Sequence, residues 1–163
     1  ITFGAGGASV HVPLTPANSM ALAELTAGGG TPMGGAFDVV RALIEDRSIV
    51  SGRAYTPAIV LVSDGQPNDE WQEPLSALHG SPRAAKAQRF ALGVGDDADA
   101  GVLRQFLSDP EGRVYAAHDA GQIQSFFRWV TMSVTARSRS ANPNVAAPAP
   151  AIAFEPMGLD ILV

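Results

Sequence analysis

The stretch that decides the fold is Ala58-Ile59-Val60-Leu61-Val62-Ser63-Asp64-Gly65. Five apolar residues follow one another without alternation, and Ser63-Asp64-Gly65 ends them. A strand covered on both faces reads this way, because neither set of alternating side chains meets water. Asp-Gly is a turn signal, so the chain leaves the strand at Asp64. Outward from it, further strand and helix patterns alternate. Arg89 to Val94 is a second apolar run, and Arg113 to Ala116 a short third one. Between and after them, the spacing predicts helical pieces over Glu73–Leu78 and Arg83–Gln88, separated by Gly80-Ser81-Pro82. Helices over Ala100–Leu107 and Asp119–Arg137 follow. The last carries Ile123, Phe126, Phe127, Val130 and Val134 on one side. Upstream, Met33, Ala36, Phe37, Val40, Leu43 and Ile44 recur at helical spacing from Pro32 to Asp46. Thr31 reads as its cap and Pro32 as its first position. Strands alternating with helices make this an α/β chain, with a doubly wound, mostly parallel sheet and helices on both faces.

The first residues read differently. Ile1-Thr2-Phe3 ends one strand, Gly4 to Gly7 turns, and Ala8 to Leu14 alternates as a second, giving an antiparallel hairpin. Gly4-Ala5-Gly6-Gly7-Ala8-Ser9 has the look of a dinucleotide loop, but Val10-His11-Val12-Pro13 follows where such a loop needs a helix N-terminus. Ser19 to Leu25 is expected as a short helical turn. Residues 138–151, rich in Pro, Ala, Ser and Asn, read as a linker. Residues 152–163 are apolar again, as a docked tail strand or the start of something further. The folded domain is expected over residues 1–137.

Composition narrows the function. Among 163 residues, 46% are hydrophobic, 17% are charged, and the formal net charge is -5. That balance gives phosphates no basic footprint and argues against nucleic acid as a partner. There is no cysteine, hence no disulfide, zinc ribbon or thiol chemistry, which suits the cytoplasm. No apolar stretch approaches the roughly 20 residues that span a bilayer. No Gly-x-Ser-x-Gly elbow or P-loop is present. His11, His79 and His118 lack ligand spacing and read as ordinary surface histidines. Asp96, Asp97 and Asp99 read as helix-start residues. Arg137 and Arg139 read as a solvated helix end. Trp71 is either packing or an anchor for a partner.

Two loops carry the candidate chemistry. Gly28-Gly29-Gly30-Thr31-Pro32-Met33-Gly34-Gly35 offers the Thr31 hydroxyl. Its adjacent helical glycines suggest close backbone packing or an approaching ligand. Ser63-Asp64-Gly65-Gln66-Pro67-Asn68-Asp69 offers the Asp64 carboxylate just beyond a strand's carboxyl end, where doubly wound sheets bind ligands. A hydroxyl and a carboxylate suit a hard divalent cation, but two ligands are too few for a complete site.

Together, Gly-Gly-Thr-Pro-Met-Gly before a helix and Ile-Val-Leu-Val-Ser-Asp-Gly-Gln-Pro-Asn-Asp after a strand resemble the von Willebrand factor A (vWA) family over about residues 1–137. Within it, the pattern looks closest to bacterial TerY-like proteins of tellurium resistance and stress response. The resemblance implies a metal-ion-dependent adhesion site (MIDAS) built from three loops. Thr31 matches the threonine of the second loop and Asp64 the aspartate of the third. Gly30, Ser63 and Asp69 would stand at the rim or behind the ligands. The first loop carries Asp-x-Ser-x-Ser, which this sequence lacks, so the resemblance implies that segment and the central strand lie upstream of Ile1. Magnesium, or manganese or calcium in its place, is expected only with that segment present. The implied function is metal-dependent protein–protein interaction with a partner offering a carboxylate, such as a kinase or phosphatase, and no membrane or nucleic acid. A metal-free structural interaction domain and a magnesium-dependent hydrolase using Asp69 are the alternatives.

Overall fold

The apolar run at Ala58–Ser63 is a strand, and it organises one of two compact units in a computed structural model of the chain. The structure describes residues 1–21, 23–144 and 159–162. One unit comprises Ile1–Gly52 with Pro67–Ala85, and the other Arg53–Gln66 with the chain from Lys86 onward.

The first unit begins with β1 (Thr2–Gly4) and β2 (Gly7–Ser9), an antiparallel hairpin closed by Ala5-Gly6 with Phe3 opposite Ala8. The predicted second strand, Ala8 to Leu14, is shorter than expected. β1 offers three partner positions, Pro13 has no N–H to give a ladder, and Val10 and Leu14 stay exposed. The helical turn expected over Ser19–Leu25 is replaced by a single 3-10 turn at Ala17–Ser19, closed by the Ser19 N–H on the Pro16 carbonyl. The residues after it that are described are exposed, so no buried face rewards a helix; Leu22 lies outside the described residues. α1 (Met33–Glu45) and α2 (Gln72–Gly80) pack on one another, burying Met33, Ala36, Phe37, Leu75 and Leu78. The second helical piece expected there shrinks to a 3-10 turn at Ala84–Lys86.

The second unit holds β3 (Ala58–Ser63), β4 (Gln88–Val94), β5 (Val114–Ala117) and β6 (Asp160–Leu162) in that spatial order. β3, β4 and β5 run parallel, in register Val60–Phe90 and Leu92–Tyr115, and β6 is antiparallel to β5. α3 (Ala100–Leu107) and α4 (Ala120–Ser138) cover the sheet. On one face Phe90, Leu92, Tyr115 and Ala117 cluster with Phe126, Trp129 and Val130 of α4 and with Leu159. On the other, Gly93 lies against Leu103 of α3. Alternate residues of β4 therefore meet different helices, and the mostly parallel α/β arrangement is the one expected.

The face of α4 is rotated from the expected one. Phe127 is 44% exposed, while Trp129 is 3% exposed and touches Phe90 and Tyr115 in edge-on ring contacts. Arg137 is not a solvated helix end. It is buried and donates from Nη2 to the Thr56 carbonyl at 2.8 Å. Of the expected linker, residues 145–151 lie outside the described residues, as do 152–158 and 163 of the tail; Asn144 accepts the Thr56 N–H at 3.0 Å.

Candidate functional site

Within the first unit, the loop before α1 is held by the segment Asn68–Trp71. The N–H groups of a helix's first turn have no partner inside the helix. Thr31 was expected to satisfy them, but Pro32 is the cap residue and no side chain there accepts a bond. Asp69 replaces it. One carboxylate oxygen takes the Gly34 N–H and the other the Gly35 N–H, both at 3.0 Å. The Thr31 carbonyl accepts the N–H groups of Met33 at 2.8 Å and Asn68 at 3.1 Å. Two glycines make room for this. A Cβ on Gly30 would stand 1.8 Å from Asn68 Nδ2, and one on Gly34 would stand 2.3 Å from the Glu70 carbonyl oxygen. The reading of the helical glycines as close backbone packing is correct, and the approaching group is the protein's own loop. The Thr31 hydroxyl, half-buried, has no hydrogen-bond partner among the described residues.

In the second unit, Ser63 closes β3 as a buried residue. Its hydroxyl donates to the Gly65 carbonyl at 3.2 Å, and Gly65 N lies 3.4 Å from it. Ser63 thus shapes the turn that follows β3. Asp64, one residue on, is exposed and has no partner among the described residues.

The residues expected at the site fall into two groups. Gly30, Thr31 and Asp69 are assembled in one unit, and Ser63 and Asp64 in the other. In each group one side chain is committed internally, Asp69 or Ser63, and one oxygen donor is left over, Thr31 or Asp64. Both leftover donors are hard oxygen ligands of the kind magnesium takes. Among the described residues, no three His, Asp or Glu side chains gather to hold a metal ion.

The family model of the von Willebrand factor type A domain matches residues 5–129. The chain belongs to that family. Neither a curated protein nor a solved structure matches it significantly. The family is one of protein-interaction and metal-site modules, and its match spans both the Thr31 loop and the Asp64 turn. Among the described residues, no helix is long and apolar enough to cross a membrane.

Other polar residues of this vWA domain have structural tasks. Asp99 caps α3 by accepting the Val102 N–H at 3.0 Å, and Asp119 caps α4 through Gln122 N at 2.8 Å. Gln122 in turn accepts the His118 N–H, a reciprocal arrangement of the capping-box kind. Trp71 is half-buried, its backbone against Gly34. Glu45 was not singled out in the sequence. Burial pushes its carboxyl up, but the Ala84 and Arg83 N–H groups, at 3.0 and 2.8 Å, with Ser81 and the Arg83 charge, outweigh that and hold it below its ordinary value. Neither this contact nor that of Asp69 announces itself in the sequence, because each joins residues more than 30 positions apart. The paired glycines after Pro32 were the one visible sign.

Proposed function

We propose that this vWA domain is a metal-dependent protein-interaction module in which the Thr31 hydroxyl and the Asp64 carboxylate, each described within its own unit, are oxygen ligands for divalent metal. Magnesium is the natural ion, with manganese or calcium as substitutes, since all three take hydroxyl, carboxylate and water oxygens. Bound, the ion supplies an electrophilic point for a carboxylate of a partner protein. The chain's own part is to keep two donors uncommitted while their neighbours are not. The observation that carries the reading is that the Thr31 hydroxyl and the Asp64 carboxylate have no partner among the described residues, whereas both Asp69 oxygens and the Ser63 hydroxyl are engaged.

The same observation disfavours a hydrolase. Asp69, the candidate base within this sequence, has each oxygen on a backbone N–H. We therefore read the domain as a binding module and not an enzyme. The narrower placement, among TerY-like proteins of bacterial stress signalling in the cytoplasm with a kinase or phosphatase as partner, rests on the likeness of the two motifs.

Calorimetric titration with MnCl2 and MgCl2 of the intact protein, with an Asp-x-Ser-x-Ser segment present, tests the metal. Saturable binding is expected, lost in Asp64→Ala and weakened at least tenfold in Thr31→Val, a change of about 1.4 kcal/mol. Heat that is identical in the parent and Asp64→Ala would remove the metal from the proposal. No heat in either would favour a metal-free interaction domain.

A further inference from the structure

The loop that carries Thr31 is gripped from two sides, and both grips lie within the first unit. On one side stands the turn of the β1–β2 hairpin. The Ala5 N–H donates to the Gly28 carbonyl at 3.0 Å, and that carbonyl oxygen lies 2.9 Å from where a Cβ on Gly4 would be. A Cβ on Gly29 would lie 2.3 Å from Ala5 Cα, and Gly29 holds a φ of +85°, so contact and backbone conformation both require glycine there. Further along, a Cβ on Gly35 would meet the Ala8 Cβ of β2 at 3.3 Å.

On the other side stands Asn68–Trp71. The Asn68 N–H is on the Thr31 carbonyl, its Nδ2 presses on Gly30, and Asp69 spans the Gly34 and Gly35 N–H groups. Thr31 is thus held through its backbone. Its carbonyl accepts two N–H groups, while its hydroxyl has no partner among the described residues. A hydroxyl on a free glycine-rich loop would lose conformational freedom on meeting a ligand. Here folding has already removed that freedom, so binding loses less entropy.

We propose that the hairpin turn and the Asn68-Asp69 segment form a clamp that fixes the Thr31 hydroxyl before an ion arrives, with Ala5 and Asp69 as its positioning residues. The positioning role rests on Thr31 being a metal ligand; the clamp itself stands without one.

Two variants loosen the clamp at different points, each made in the intact protein with the Asp-x-Ser-x-Ser segment present. Asp69→Ala frees the Gly34 and Gly35 N–H groups, and Asp69→Asn keeps one acceptor oxygen. Ala5→Pro removes the N–H that meets Gly28. Asp119→Ala is the control, since it removes a cap from α4 in the other unit. Without metal, amide exchange at Gly34, Gly35 and Asn68 should quicken about tenfold in Asp69→Ala. The NMR order parameter of the Thr31 methyl should fall in Asp69→Ala and in Ala5→Pro, and stay unchanged in Asp119→Ala. In calorimetric titration with MnCl2, both clamp variants should bind about tenfold more weakly. Asp69→Asn should recover part of that loss, and Asp119→Ala should bind as the parent does. An unchanged Thr31 order parameter in Asp69→Ala overturns the clamp. A lowered order parameter with undiminished affinity overturns the positioning role. So does an equal loss of affinity in Asp119→Ala, which would reduce the effect to stability. A parent protein that binds no Mn2+ overturns the metal reading of Thr31 and the positioning role with it, while the metal-free measurement still decides the clamp.

Discussion

A carboxylate 35 positions down the chain caps α1, and this shows how single residues set the geometry of the loop that carries Thr31. Asp69 neutralises two orphaned N–H groups at the positive end of a helix, where an anion is favoured. Asp69→Ala should therefore destabilise the domain by about 1–2 kcal/mol, read as a lower urea midpoint at unchanged slope. Asp69→Asn, which keeps one acceptor oxygen, should lose less. Glu45 makes a second prediction at this scale. Its carboxyl is held below the ordinary value of 4.5, so it adds stability above that pH and loses it as pH falls through the lowered value. Glu45→Gln should flatten the acid side of the stability curve, measured by urea unfolding between pH 3 and pH 6. Asp69 was legible only as a rim residue, and Glu45 not at all, because both bonds join segments distant in sequence.

At the scale of elements, the sequence was most reliable where a buried face repeats over many residues. α1, β3 and β4 fall within a residue or so of the expected bounds, because each has a periodic or continuous apolar pattern. Short elements were less legible. The strand expected to Leu14 stops at Ser9, and the turn expected at Ser19 moves upstream, since none of the described apolar side chains in either stretch is buried. In α4 the periodicity was right and its phase slightly wrong: Trp129 fills the cluster in place of Phe127. The capping residues of α3 and α4 were readable as aspartates at helix starts. Asp119→Ala should cost about 1 kcal/mol and fray the first turn of α4, seen as faster amide exchange at Gln122 and Ile123.

At the scale of the whole molecule, each of the two compact units has its own buried apolar residues and its own tryptophan, Trp71 in one and Trp129 in the other. Trp129 stacks edge-on against Phe90 and close to Phe126, so its emission reports the aromatic cluster. In a Trp71→Phe background that signal isolates the second unit. There Phe126→Ala, which empties a fully buried site, should cost about 3–5 kcal/mol. That is a large share of the roughly 5–15 kcal/mol that holds a domain together, so the emission transition should move to much lower urea.

The sequence by itself determined the α/β class, the family, and the two motif loops, because hydrophobic periodicity and short motifs are local properties of the chain. It singled out Thr31 and Asp64 as oxygen donors, and it left Ser63 and Asp69 beside them without distinct tasks. Only the tertiary structure decided those tasks. The Ser63 hydroxyl turns back on Gly65, Asp69 reaches across to α1, and His118, just after β5, meets Asp96 and Asp160. The physical reason is the same each time. A polar side chain's role is fixed by which unsatisfied N–H, carbonyl or charge folding brings within about 3–4 Å of it, and that neighbour is chosen by packing rather than by sequence separation.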